Sequence, residues 1–197
     1  MIYIPPQACD RATIVGIDPG TEKLGVSYID FSVVDMRIYQ CGALTLTGSK
    51  LPRGDWTGAM HGDRYSRINA LEEELVNIFD EKRPLIFAIE APFINRLRPA
   101  AYGALVEVVC AVRSAMHKHS PWKFLNSTSP SSVKQGIGAP GNADKEVVKK
   151  CILKIDELVT TCESQLNQLD EHSIDALAVA YYTLKQYRKS EISRFEI

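Results

Sequence analysis

Residues 12–30 read ATIVGIDPGTEKLGVSYID, and this stretch decides the fold. Residues 12–17 and 24–29 are short, apolar and rich in β-branched side chains, and the turn-forming PGTEK lies between them. Two such runs around a tight connection predict antiparallel strands. Residues 36–46 alternate partially and supply a third, completing a meander. Working outward, Tyr65, Ile68, Leu71, Leu75, Ile78 and Phe79 recur at helical spacing. Residues 85–89 are continuously apolar, as a strand buried on both faces should be. Pro99 opens a helix with Tyr102, Leu105, Val106, Val109, Val112 and Met116 on one face, and residues 122–125 suggest a fifth strand. Ser129–Pro130 has the form of an N-cap and first-turn proline. Asp144 or Asn142 can cap the next helix, whose inner face would carry Val147, Val148, Cys151, Ile152 and Ile155. A last helix buries Ile174, Leu177, Ala178, Tyr181 and Leu184, after which the charged tail is expected to fray. The order predicts an α/β fold with a five-stranded mixed sheet, three antiparallel strands followed by two parallel ones, flanked by helices. Residues 47–62, rich in Gly, Pro and polar side chains, are expected to form a long loop.

The composition sets limits. The chain has 197 residues, 45% hydrophobic and 24% charged, enough for one domain with a real core at about 12–184 and flexible ends at 1–11 and 186–197. No apolar stretch reaches the roughly 20 residues that cross a bilayer, and a cytoplasmic location (host cytoplasm for a viral protein) is expected. A net charge of −1 confines any nucleic-acid surface to a local patch. The five cysteines (Cys9, Cys41, Cys110, Cys151, Cys162) are scattered and include no CxxC pair, which favours buried free thiols.

Acidic residues stand where regular elements end. Asp18 closes the first strand, Glu90 closes the fourth, and His172 and Asp175 share one face at the start of the last helix. A carboxylate at the end of a buried strand is costly without a partner, and two of them beside an i, i+3 His/Asp pair suggest a divalent metal. The bland reading makes Asp18 a turn residue, Glu90 a strand-end charge and Asp175 a first-turn helix charge.

Residues 16–27, GIDPGTEKLGVS, resemble the opening signature of the RuvC family of Holliday-junction resolvases, within the RNase H-like superfamily. Four further blocks fall in family order: AIEAPF at 88–93, SVKQ at 132–135, ADK at 143–145 and HSIDALA at 172–178. The resemblance implies an RNase H-like fold and a metal-dependent endodeoxyribonuclease. Such an enzyme resolves four-way DNA junctions by paired nicking and leaves 5′-phosphate and 3′-hydroxyl ends, as a homodimer in recombination and repair. It further implies two Mg²⁺ ions, with Mn²⁺ as substitute, held by Asp18 as central ligand, Glu90, Asp175 and His172, the last as ligand or proton shuttle. Lys134 and Lys145 would contact DNA phosphates, and Phe93 would stack on bases. Arg96 and Arg98, with Arg64 and Arg67, could add a basic patch. Asp170 and Glu171 read as caps, and Asp170 could also contribute to the site. Two alternatives stand beside this reading: a broader flap, fork or bubble endonuclease of the same fold, and an actin-like nucleotide-binding protein suggested by GIDPGT.

Overall fold

Residues 10–93 and 99–195 are described by the computed structural model. The opening stretch forms β1 (Arg11–Asp18) and β2 (Lys23–Ser32), followed by β3 (Ile38–Thr47). β1 pairs antiparallel with β2, and β2 with β3. The chain then runs through α1 (Asp55–His61), α2 (Asp63–Lys82), β4 (Ile86–Glu90), α3 (Pro99–His119) and β5 (Leu125–Thr128). β4 pairs parallel with β1 and with β5, so the sheet order is β3-β2-β1-β4-β5, the expected mixed sheet. Four helices complete the order: α4 (Pro130–Gly136), α5 (Lys145–Ile152), α6 (Asp156–Thr161) and α7 (Glu171–Phe195).

The sheet separates two cores because its central strands bury both faces. On one face Val15, Ile17, Val26, Phe87 and Ile89 pack against Leu71, Leu75 and Phe79 of α2 and Val108 and Val112 of α3. On the other, Ile14, Ile29 and Ala88 pack against Ile174, Leu177, Ala178 and Leu184 of α7, with Val148 and Ile152 of α5. The continuous apolar runs follow directly from this double burial. Ser129 accepts a hydrogen bond from the Ser132 amide at 3.2 Å, and Asp144 accepts from the Val147 amide at 2.9 Å, so both expected caps form.

Several expectations are corrected. Residues 47–62 hold a 3₁₀ turn at Gly48–Lys50 and the helix α1, so they are only partly loop. Trp122 and Phe124 are exposed, and the fifth strand starts at Leu125. Ile155 does not continue α5; it precedes the separate helix α6. Tyr65 starts the apolar pattern of α2 but is 52% exposed. Cys41 is buried, yet Cys110 is exposed and Cys151 and Cys162 are half-buried. The charged tail does not fray after Leu184: α7 continues to Phe195, because Tyr187 is buried edge-on against Phe31 and Arg188 has fixed partners. No helix among the described residues is long and apolar enough to cross a membrane.

Candidate active site

The register of the parallel strands brings the first two carboxylates together. Ile17 lies opposite Ile89, and the next residue on each strand is acidic: Asp18 on β1 and Glu90 on β4. Helix α7 brings the other pair, and two glycines let it approach. A Cβ on Gly16 would lie 2.4 Å from the Ala176 carbonyl oxygen, and one on Gly25 would lie 2.1 Å from that of His172. Any side chain at either position would lift α7 off the sheet. The Ser27 hydroxyl fastens the contact, donating to the Ala176 carbonyl at 2.7 Å. With the helix down, His172 Nδ1 lies 2.8 Å from Asp18 Oδ2. Asp175 follows one turn later on the same face.

The electrostatics are those of crowded like charges. Burial, then the charges of Asp18 and Asp175, push Glu90 up to about 7, against the partial opposition of Lys134 and Lys145. Burial and Asp18 push Asp175 up to about 6, opposed by Lys145, His172 and Lys134. The hydrogen bond to Asp18 raises the His172 imidazole above its ordinary value. Burial and mutual repulsion outweigh the nearby lysines here, and the oxygen-rich set suits a hard divalent ion. Among the described residues no three His, Cys, Asp or Glu side chains stand as a finished ligand shell. His172 Nδ1 faces Asp18 instead. The fit therefore rests on donor chemistry and mutual repulsion.

The lysines are close to this cluster but not free. Lys134 Nζ donates to the Ala143 carbonyl at 2.8 Å, and Lys145 Nζ is 3.0 Å from Glu171 Oε1. Phe93 is 58% exposed, so it is a surface aromatic and not part of the core. Arg96 and Arg98 lie outside the described residues. Arg64 pairs with Glu107 at 2.9 Å, and Arg67 pairs with Glu22 and Asp63, so neither offers the unpaired charge of a basic patch. Asp170 is a cap: its Oδ1 accepts from the Ser173 amide at 2.9 Å and the Thr45 hydroxyl at 2.6 Å. Sequence reasoning gave Glu171 only a capping role. It also stands between Lys145 and His172 Nε2, the latter at 3.4 Å. Its place beside His172 was the available signal, but the lysine comes from a distant segment.

The sheet order and the acidic strand ends define the ribonuclease H-like class, whose nucleases are metal-dependent. Within that class, the family model described as crossover junction endodeoxyribonuclease RuvC matches residues 14–182. This chain belongs to the RuvC family. Among its relatives, the RuvC of Cytophaga hutchinsonii is 26% identical over 150 residues, 76% of this chain and 67% of the relative. That of Thermobifida fusca is 26% identical over 174 residues, 85% of this chain and 82% of the relative. Two solved structures share the fold. Thermus thermophilus RuvC in complex with a Holliday junction substrate has a TM-score of 0.66 at 17% identity, covering 91% of this chain and 96% of that one. Fowlpox virus resolvase, in complex with its substrate Holliday junction, has a TM-score of 0.55 at 9% identity, covering 89% and 98%. The match leaves no basis for the actin-like alternative.

Proposed function

We propose that this chain is a structure-selective endonuclease that nicks four-way DNA junctions in pairs, leaving 5′-phosphate and 3′-hydroxyl ends. The observation that carries this is the convergence of Asp18, Glu90, Asp175 and His172 at one end of the sheet, in a chain of the RuvC family. Those four side chains would hold two Mg²⁺ ions, or Mn²⁺ in their place. When bound, the ions supply an activated water and offset charge on the scissile phosphate and leaving oxygen. The chain's own contribution is positional. The strand ends fix Asp18 and Glu90, and α7 fixes Asp175 and His172, so few rotamers need freezing when the phosphate arrives. His172 serves as a ligand or, oriented by Asp18 through Nδ1, as a proton shuttle through Nε2. Lys134 and Lys145 bind the phosphates flanking the cleaved bond. Phe93, exposed three residues past Glu90, stacks on an unpaired base, a contact worth about 1–3 kcal/mol. Arg96 and Arg98 remain candidates for the same DNA.

Paired nicks on opposing strands need two such sites, hence a homodimer. The chain is read as one domain acting on cytoplasmic DNA. The test uses a labelled mobile four-way junction with Mg²⁺. Symmetrical nicks that DNA ligase seals without further treatment support both the pairing and the end chemistry. Products refractory to ligase would reject the assignment of ends, and single unpaired nicks would reject the dimeric reading.

A further inference from the structure

β3 is an edge strand, and its free side is covered at one point by a short piece of chain from far along the sequence. Cys41 of β3 and Cys162, just after α6, are partners in a parallel bridge, and the Glu163 amide donates to the Cys41 carbonyl at 2.9 Å. Adjacent strands lie about 4.8 Å apart. That spacing falls inside the roughly 4.4–6.8 Å window of Cα separations that a disulfide spans. Partners in a parallel bridge project their side chains to the same side of the sheet. The two thiols lie close enough to perturb one another and both cysteines are free, while Cys41 Sγ itself lies 3.8 Å from the Leu158 carbonyl and 3.6 Å from the Thr161 hydroxyl.

We infer that Cys41 and Cys162 form a redox-responsive dithiol, which closes to a disulfide on exposure to a low-molecular-weight disulfide and staples the sheet edge to the segment leading into α7. The two sulfurs differ in the way such exchange requires. Cys162 is half-exposed, and its interaction with Cys41 holds its thiol below the ordinary value. Cys41 is fully buried and is held up by its interaction with Cys162 and by burial. Cys162 is therefore the attacking thiolate and Cys41 the resolving thiol. The Cys162 thiolate attacks one sulfur of the reagent, forming a mixed disulfide and releasing the first reagent thiolate. Cys162 is then uncharged, and the interaction that kept Cys41 protonated is gone. Cys41 loses its proton to solvent, attacks the Cys162 sulfur and expels the second reagent thiolate. The dithiol loses two electrons and two protons, and the reagent gains both to become two thiols.

The staple would act on a segment already held at its other end. Thr45 lies on the same face of β3 as Cys41, and its hydroxyl donates to Asp170 at 2.6 Å and meets the Ser173 hydroxyl at 3.0 Å. Oxidation would thus fix to β3 both ends of the connection that enters α7 just before His172. The inference stands independently of the nuclease reading.

The test treats the purified full chain with oxidised glutathione, followed by non-reducing peptide mass spectrometry and thermal melting. The expected results are a Cys41–Cys162 linked peptide and a Tm rise of about 5–15 °C, since the bridge closes a loop of about 120 residues. Dithiothreitol should reverse both. Cys162→Ser, at a half-exposed position that tolerates the change, should abolish both, and Cys41→Ala should leave glutathione attached at Cys162. The inference is overturned if the wild type stops at a glutathione adduct, if the link runs through Cys110 or Cys151, or if the Tm gain survives in Cys162→Ser.

Discussion

The two ends of α7 treat buried charge in opposite ways. At its start, Asp175 and His172 join Asp18 and Glu90, and burial with like charges pushes Glu90 and Asp175 up to about 7 and 6. Near its other end, Arg188 donates to both carboxylate oxygens of Glu157 at 2.9 and 2.8 Å, and the Tyr181 hydroxyl donates to Glu157 at 2.7 Å. The Arg188 guanidinium also donates to the Met36 carbonyl at 2.6 Å. There the arginine holds Glu157 below the usual carboxylate range. One end is a crowd of carboxylates that nearby cations only partly offset; the other is a satisfied ion pair that anchors the helix. A group kept for chemistry is stored in a state costly to the free fold, whereas a structural charge is matched by its partner.

The sharpest way to break this contrast is Asp18→Asn. Cleavage is expected to fall at least about 1,000-fold, as loss of a group acting on the transition state implies. The metal-free variant at pH 7.5 should melt close to wild type, because relief of Glu90 and Asp175 from a repelling neighbour offsets the weakened bond to His172. A clear loss of Tm would show that Asp18 is a structural charge after all.

The opposite substitution, Glu157→Gln, should leave nicking intact and cost about 2 kcal/mol in urea unfolding at pH 7, since it leaves Arg188 poorly paired. Glu157 has a depressed folded value. Its contribution is therefore present above the ordinary carboxylate value of 4.5 and is lost as pH falls through the lower folded value. The difference between wild type and variant should close towards pH 3, and a constant difference would contradict the assignment.

Lys134→Ala and Lys145→Ala are expected to weaken junction binding at every sequence and each to reduce the salt slope of log affinity by about 1. An unchanged slope would return them to structural roles. A further effect is in metal-free stability against pH. Folded Glu90 titrates near 7, above its ordinary 4.5, so the folded state binds the extra proton between those values and stability falls as pH rises across them. In Asp18→Asn this decline should flatten.

Much of this was legible in the sequence because its signals were local. The β-rich apolar runs and turn at 12–30 announced β1 and β2, and Asp18 and Glu90 could be placed because each closes an apolar run. Ser129 and Asp144 advertised their helix starts through residue type alone. What stayed hidden depends on segments far apart. The Arg188–Glu157 pair extends α7 beyond its apolar pattern, so a charged tail read as frayed. Arg64 and Arg67 looked free until Glu107, Glu22 and Asp63 met them. The pairing of Cys41 with Cys162 needs a strand edge and a distant connection, and no spacing in the sequence encodes it.

The central claim is that the acidic end of the sheet cuts branched DNA. It is tested most directly by cleavage of labelled four-way junction and linear duplex with Mg²⁺, wild type beside Asp18→Asn, with junction binding measured in parallel. The expected result is strong nicking of the junction over the duplex by wild type, with Asp18→Asn binding the junction but failing to cut it. Equal cleavage of linear duplex, or undiminished cutting by Asp18→Asn, would contradict the account.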